Sequence, residues 1–485
     1  MGRHLLFSVT ASLLVLGAMG QTTDRSAARR EKLVEENLHY LTVIRGRPDP
    51  GMSLADQMSR LHVPGVSIAV IHGKRVDWSK EYGAAWLSGP SVSAPTLFGA
   101  ASMSKPVTAM AILRLVQEGK IDLDVDVNTY LKSWKIPGNE YTKNQPVTVR
   151  ELLSHTSGIG THNGAIYDPD KGVPSMLEIL DGKPPATTPP VRVESEPGKK
   201  YAYANGGYLI LELLITDLTG RTFAEAMEEL VLAPIGMSHS TFEAPLPRAK
   251  AATAATAYDE SGTSGIAAAH FVEPDAAAGG LWTTATDYAR FVIELQKEYT
   301  GESHRVLNQK MAQMMVTAGM GPSESIRWGL GVRVGGTPPN IYFEHGGSAA
   351  YQCDMVGYPS GDGVVVLTNG GRGGMLSDEI VRSVAQAYAW PDFQPVEHTV
   401  VPVDPSKFGR FVGTYDFIKV TQVGSHLMAE IPLGSQAQEL FPESDTQYFL
   451  RDEPTRVIFD VNPDGSVTGL EFITTIVHWH REKNP

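Results

Sequence analysis

Apolar and polar positions alternate along this chain in blocks that change period several times. An apolar run from Leu5 to Leu16 follows Arg3 and His4 and precedes the small residues Ala18-Met19-Gly20. That layout reads as an export signal, too short to stay comfortably in a bilayer as a permanent helix. Residues 1–20 are therefore assigned as a signal peptide, and the mature protein is expected to be secreted or periplasmic. Residues 21 to about 60 are charged and helical in pattern. Val66-Ser67-Ile68-Ala69-Val70-Ile71, the turn His72-Gly73-Lys74 and Arg75-Val76-Asp77-Trp78 then predict a β-hairpin. A helical period runs from about Ser102 to Gln117 and closes at Gly119.

From about 125 to 300, helical stretches mix with Pro/Gly-rich loops, and Gly182 to Pro197 is dense in proline. Strands are predicted again at Tyr351 to Tyr358 and Gly363 to Thr368, then a helix from about Ser377 to Ala389. A hairpin, then helices, then strands and a last helix imply an α+β fold. Its antiparallel sheet, flanked by helices, takes strands from both ends of the domain. Residues 396–405, rich in proline and valine, read as a linker. Beyond them, short strand-like runs (Leu427 to Ile431, Gln447 to Leu450, Arg456 to Phe459, Val467 to Phe472) predict a small all-β, barrel-like domain over 406–485. The main domain is then 21–395.

Composition narrows the function classes. At 485 residues, a prior of about 150 residues per domain gives two or three units. The net charge of -13 disfavours nucleic acid and anionic membrane as partners, since both would repel it. No later segment is long and apolar enough to span a membrane, so stable insertion is not expected. The single cysteine, Cys353, rules out an intrachain disulfide and reads as a small buried apolar residue.

Ser102-Met103-Ser104-Lys105 carries the first candidate chemistry. Residues three apart share one helix face, so the Ser102 hydroxyl and the Lys105 amine can meet. The helix N-terminus favours developing negative charge on the serine oxygen. Burial and the same field favour a neutral amine able to accept the serine proton. Taken alone, the pattern also fits a capping serine before a solvated lysine. Two further segments change the weighting: Tyr203-Ala204-Asn205-Gly206-Gly207-Tyr208 and His345-Gly346-Gly347-Ser348.

With these three motifs in order, the sequence resembles the serine β-lactamase and D-alanyl-D-alanine peptidase superfamily. It is most similar to the branch holding class C β-lactamases, D-aminopeptidases and related esterases. Phe98 to Asp122, Val147 to Gly160, Tyr203 to Phe242 and Ala278 to Phe291 resemble family blocks, so the likeness covers most of 55–390. The resemblance implies a β-lactamase/transpeptidase-like domain, with a cleft between the sheet and a mostly helical region. Ser102 would be acylated, and Lys105 and Tyr203 would share the proton transfers. Asn205 would hydrogen-bond Lys105 or a substrate amide. His345 would replace the third-motif lysine, and Gly347 would let the backbone approach the ligand. The N–H groups of Ser102 and Ser348 would form the oxyanion hole. The C-terminal module resembles lipocalin-like domains appended to some family peptidases.

Histidine is a poorer anion anchor than lysine. The expected activity is therefore hydrolysis of small esters, amides or short peptides, with weak β-lactam turnover. A β-lactamase or D-alanyl-D-alanine carboxypeptidase, an acyltransferase and a penicillin-sensing protein stand as alternatives. No metal or cofactor is expected, and oligomerisation is left open. His155 reads as structural, framing a domain junction. His478 and His480 read as ordinary strand positions.

Overall fold

The computed structural model describes residues 26–160, 164–324, 326–431, 436–474 and 478–484; the signal-peptide assignment at 1–20 lies outside them. Its centre is a seven-stranded sheet of β1 (Gly65–Ile71), β2 (Val76–Gly83), β3 (Arg327–Trp328), β4 (Arg333–Thr337), β5 (Asn340–Ser348), β6 (Gln352–Gly357) and β7 (Gly363–Thr368). The order is β2-β1-β7-β6-β5-β4-β3, antiparallel throughout. The predicted hairpin is β1–β2, and β1 joins the late strands with Val66 opposite Thr368.

Side chains alternate across a strand, and here both faces are covered. Val66, Ile68, Val70, Val364 and Val366 pack on one face with Leu376, Ile380 and Val384 and with Val34 and Leu38 of the N-terminal segment. Ala69, Ile71, Val365 and Leu367 point the other way, into the large core that holds the helical region. Four helices matter for the site: α1 (Ser104–Gln117), α2 (Asn205–Thr219), α3 (Ala285–Thr300) and α4 (Gly373–Ala387). Cys353 is buried and free, as its apolar reading requires.

One expectation needs correction. The helical pattern up to about 60 is broken, because helices at 26–36 and Leu54–Arg60 flank a strand, Thr42–Ile44. That β-branched strand pairs in parallel with Val396–His398, at the start of the segment read as a linker. Its partner is some 350 residues away, so periodicity within a local window does not reveal it. The segment is tied down again where Val401 N–H donates to Pro442 O at 3.0 Å.

The C-terminal region is an eight-stranded antiparallel meander from Gly413–Tyr415 to His478–Glu482. Tyr415, Val420, Leu427, Leu440, Tyr448, Phe459 and Phe472 are among the side chains filling its interior. Asn484 N–H donates to Thr414 O at 2.8 Å, which brings the last strand's end to the first and nearly closes a barrel. His478 and His480 occupy its last strand. The barrel is anchored to the main domain by ion pairs, Arg60 to Asp452 (3.2 Å) and Arg451 to Asp49 (3.4 Å).

Candidate active site

The helical period that suggested one helix from Ser102 resolves into a 3-10 turn, Ala101–Met103, running into α1. Ala101 takes φ of +45°, a left-handed conformation that costs a non-glycine residue about 1–3 kcal/mol unless its surroundings enforce it. Here they do. Ser104 Oγ donates to Ala101 O (2.7 Å) and accepts from Leu281 N–H (2.9 Å), while Tyr288 Oη donates to Met103 O (2.7 Å). The turn leaves Ser102 partly exposed, whereas Lys105 is fully buried. Lys105 Nζ lies 2.9 Å from Ser102 Oγ, and its second contact is the Ala278 carbonyl, also at 2.9 Å. A small-residue run, Ala276-Ala277-Ala278-Gly279-Gly280, allows that close backbone approach.

Tyr203 stands just ahead of α2, and its ring faces the lysine, with Nζ 4.9 Å from the centroid. His155 holds it there. The His155 carbonyl accepts from Ala202 N–H (2.8 Å), its Nδ1 accepts from Ala204 N–H (3.2 Å), and its ring lies 4.2 Å from the Tyr203 ring. The sequence reading placed His155 at a junction and missed this contact, which only the fold creates. Trp328 was missed altogether. Its indole is 5.6 Å from Tyr203, 5.5 Å from His345 and 5.1 Å from His155, ring centre to ring centre.

Two alternative roles are expected of Asn205, a bond to Lys105 or to a substrate amide. It opens α2, but the structure records no bond between it and Lys105; the amine is taken by Ser102 and Ala278. The buried Asn205 Oδ1 has no hydrogen-bond partner among the described residues.

The third motif lies at the end of β5. Gly347 packs so tightly on the nucleophile's turn that a Cβ there would sit 2.3 Å from Ala100 O. The glycine therefore lets β5 and Ser348 come alongside Ser102. His345 is buried, and its Nδ1 is 2.6 Å from Gly346 O, so Nδ1 carries the proton and Nε2 is a bare acceptor without a partner among the described residues. Burial, reinforced by Lys105, pushes its pKa down to about 3. His155 is held well below the usual value for the same reasons. Both rings are neutral at physiological pH.

Between the unfolded value of 6.5 and about 3, the unfolded chain binds a proton at His345 that the native state does not. Acidification through that window removes up to about 1.4 kcal/mol per pH unit per such histidine. Buried Glu212, accepting from Ala277 N–H and raised to about 8 by burial, acts oppositely. Its stabilisation is full below about 4.5 and is lost as pH rises through 8. Comparing variants isolates the histidine. Chemical unfolding of wild type and His345→Gln at pH 7 and pH 5 should show a smaller acid-induced loss in the variant, and equal losses would contradict a neutral buried ring.

Burial likewise raises Glu273 and Asp275, and Asp275 pushes Glu273 further up. For metal ligation, Asp168, Asp170 and His270 bring ligand atoms within 4.8 Å of one another. They form a mainly exposed contact between loops, in which Lys171 lies 3.3 Å from Asp168.

Residues 52–389 match the family model described as Beta-lactamase. Protein flp of Staphylococcus aureus (strain N315) is 28% identical over 186 residues, 38% of this chain and 35% of that protein. Unguisins hydrolase ungD' of Aspergillus campestris (strain IBT 28561) is 29% identical over 192 residues, 37% of this chain and 33% of its own length. The chain thus spans about a third of the length of these curated relatives. The octameric penicillin-binding protein homologue from Pyrococcus abyssi superposes with a TM-score of 0.58 at 20% identity, over 89% of this chain and 97% of that one. At that identity the likeness is one of fold.

Proposed function

The chain belongs to the Beta-lactamase family, and from that premise we propose that it is a secreted or periplasmic serine hydrolase acting on small esters, amides or short peptides. The observation that carries the reading is the 2.9 Å contact between Ser102 Oγ and a fully buried lysine amine, with the Tyr203 ring over that amine. The Ser102 proton passes to Lys105, and Oγ bonds to the substrate carbonyl carbon. The carbonyl electron pair moves onto oxygen, facing the N–H groups of Ser102 and Ser348. Collapse of this intermediate breaks the bond to the leaving group, which takes the proton. Water, deprotonated by the same Lys105–Tyr203 pair, then attacks the acyl carbon; the bond to Ser102 Oγ breaks, the proton returns to Oγ and the acid leaves. Asn205 Oδ1 accepts from a substrate amide. Neither a metal nor a cofactor enters this scheme.

The neutral ring of His345 supports placing β-lactams low in the substrate order, since the position offers no fixed positive charge. A panel of short-chain nitrophenyl esters, D-aminoacyl nitroanilides and a chromogenic cephalosporin tests this. Ester or amide turnover is expected, with the cephalosporin poorer by about tenfold or more in kcat/KM, the scale of one lost charged contact. A cephalosporin that outran every ester and amide would overturn the ordering.

A further inference from the structure

A groove of about 570 Å³ lies beside the aromatic cluster, and Trp328 belongs to both. Lys310, Gln313, Met314 and Thr317 line it at i, i+3, i+4 and i+7, one face of the helix Gln309–Met315 and of the turn after it. The buried Trp328 and Leu330 supply its deepest side chains. Backbone bonds pin its rim. Gly319 N–H donates to Trp328 O (2.7 Å), Leu330 N–H to Met315 O (3.0 Å) and Gly198 N–H to Thr156 O (2.8 Å). A groove held open by bonded backbone is largely preformed, and its volume falls among small-molecule sites, about 300–1,000 Å³.

The lining selects an amphiphile with a negative head. Met314, Met320, Leu330 and the Trp328 ring give an apolar surface, and Met320 is left 40% exposed. Unbranched methionine side chains adapt readily to a flexible alkyl chain. The charged lining is all positive, Arg150 and Lys310 without a carboxylate, in a chain whose net charge is -13. Arg150 is held by Asp124 at 2.6 and 2.8 Å. Lys310 is exposed and has no carboxylate within ion-pair distance among the described residues. Trp328 Nε1, which is buried, also has no hydrogen-bond partner among them. A cationic amphiphile would meet two positive charges here, and a neutral one would leave Lys310 unmatched.

We propose that this groove binds a free medium-chain fatty acid, its carboxylate on Lys310 and its alkyl chain along Met314, Met320, Leu330 and the Trp328 ring. The site bears on the chemistry through Trp328. That indole lies 5.6 Å from the Tyr203 ring and 5.5 Å from His345, and Tyr203 in turn faces the Lys105 amine at 4.9 Å. A chain lying along the indole fixes one wall of the cluster that places the phenol. Occupancy therefore shifts turnover without entering the substrate cleft. Binding itself needs no chemistry, and only the effect on turnover rests on the serine-hydrolase reading.

The binding arm of the test uses the full chain carrying Ser102→Ala. Hexanoate, octanoate and decanoate are titrated calorimetrically beside decyltrimethylammonium. One decanoate should bind per chain, with affinity rising about three- to fourfold per methylene, the scale of burying a CH₂ group. Lys310→Glu and Met320→Asp, at exposed positions outside the catalytic machinery, should each weaken decanoate by about threefold or more, with unfolding midpoints unchanged. The ammonium binding as tightly as decanoate, affinity independent of chain length, or binding indifferent to both variants would overturn the site. The turnover arm follows phenyl acetate hydrolysis by the Ser102 protein. Saturating decanoate should shift kcat by about twofold or more, and the same decanoate concentration should act less on Met320→Asp. A rise in KM alone would put decanoate in the substrate cleft and overturn the coupling, as would an unchanged kcat. If no ester is turned over, the hydrolase reading fails while the binding arm still decides the site.

Discussion

Ser102→Ala is expected to lower ester kcat by on the order of 10⁴-fold or more while leaving the protein folded. Loss of a nucleophile removes the covalent route itself, and residual rate comes only from binding and oxyanion contacts. The structural cost is small by comparison. The substitution deletes one partly exposed hydroxyl and one contact to Lys105 Nζ, whose other contact, the Ala278 carbonyl, remains. A net loss of about 1 kcal/mol is the scale for one such hydrogen bond. Steady-state kinetics with a nitrophenyl ester, thermal unfolding of both proteins and intact-mass labelling with a fluorophosphonate together check the assignment. Wild type should gain the probe mass and the variant should not. A variant that keeps substantial turnover or still takes the label would place the nucleophile elsewhere.

Lys105→Met is expected to cost on the order of 10²–10⁴-fold in kcat, the usual range for a general base. Methionine approximates the lysine stem in volume, so the packing against Ala278 and the Tyr208 ring, 5.5 Å from Nζ, should survive. Burying an amine at 0% exposure has an inherent cost, so its replacement by an apolar side chain should leave stability near or above that of wild type. Activity and stability should therefore part company. That divergence separates a base from a structural strut, because a strut would lose both together. The check is kcat for a nitrophenyl ester alongside the unfolding midpoint. Near-normal kcat in a folded Lys105→Met protein would remove the amine from the proton path.

Val66 to Ile71 and Gly363 to Thr368 were legible as strands because they are short, mainly apolar runs rich in β-branched residues, as suits strands buried on both faces. The motif order Ser102–Lys105, Tyr203–Asn205 and His345–Ser348 was legible because each motif is short and local. What escaped depends on distant partners. Thr42–Ile44 is a strand only because Val396–His398 lies beside it. His155 orders Tyr203 through two hydrogen bonds from its neighbours' N–H groups, one to its carbonyl and one to its ring Nδ1, which bridge nearly fifty residues, and Trp328 closes the same aromatic cluster.

The sequence by itself determined the apolar periods, the small-residue sites such as Gly347, and the spacing that lets an amine and a hydroxyl share one helical turn. These follow from local geometry: two residues per strand repeat, 3.6 per helix turn, and no Cβ where backbones touch. The fold alone sets which carbonyl holds Lys105, that His345 is neutral with Nε2 bare, and that His155 and Trp328 flank Tyr203. Burial and charge environment are set by groups far apart along the chain. A shifted pKa or a bare ring nitrogen therefore arises when the chain closes on itself, and no window of neighbouring residues encodes it.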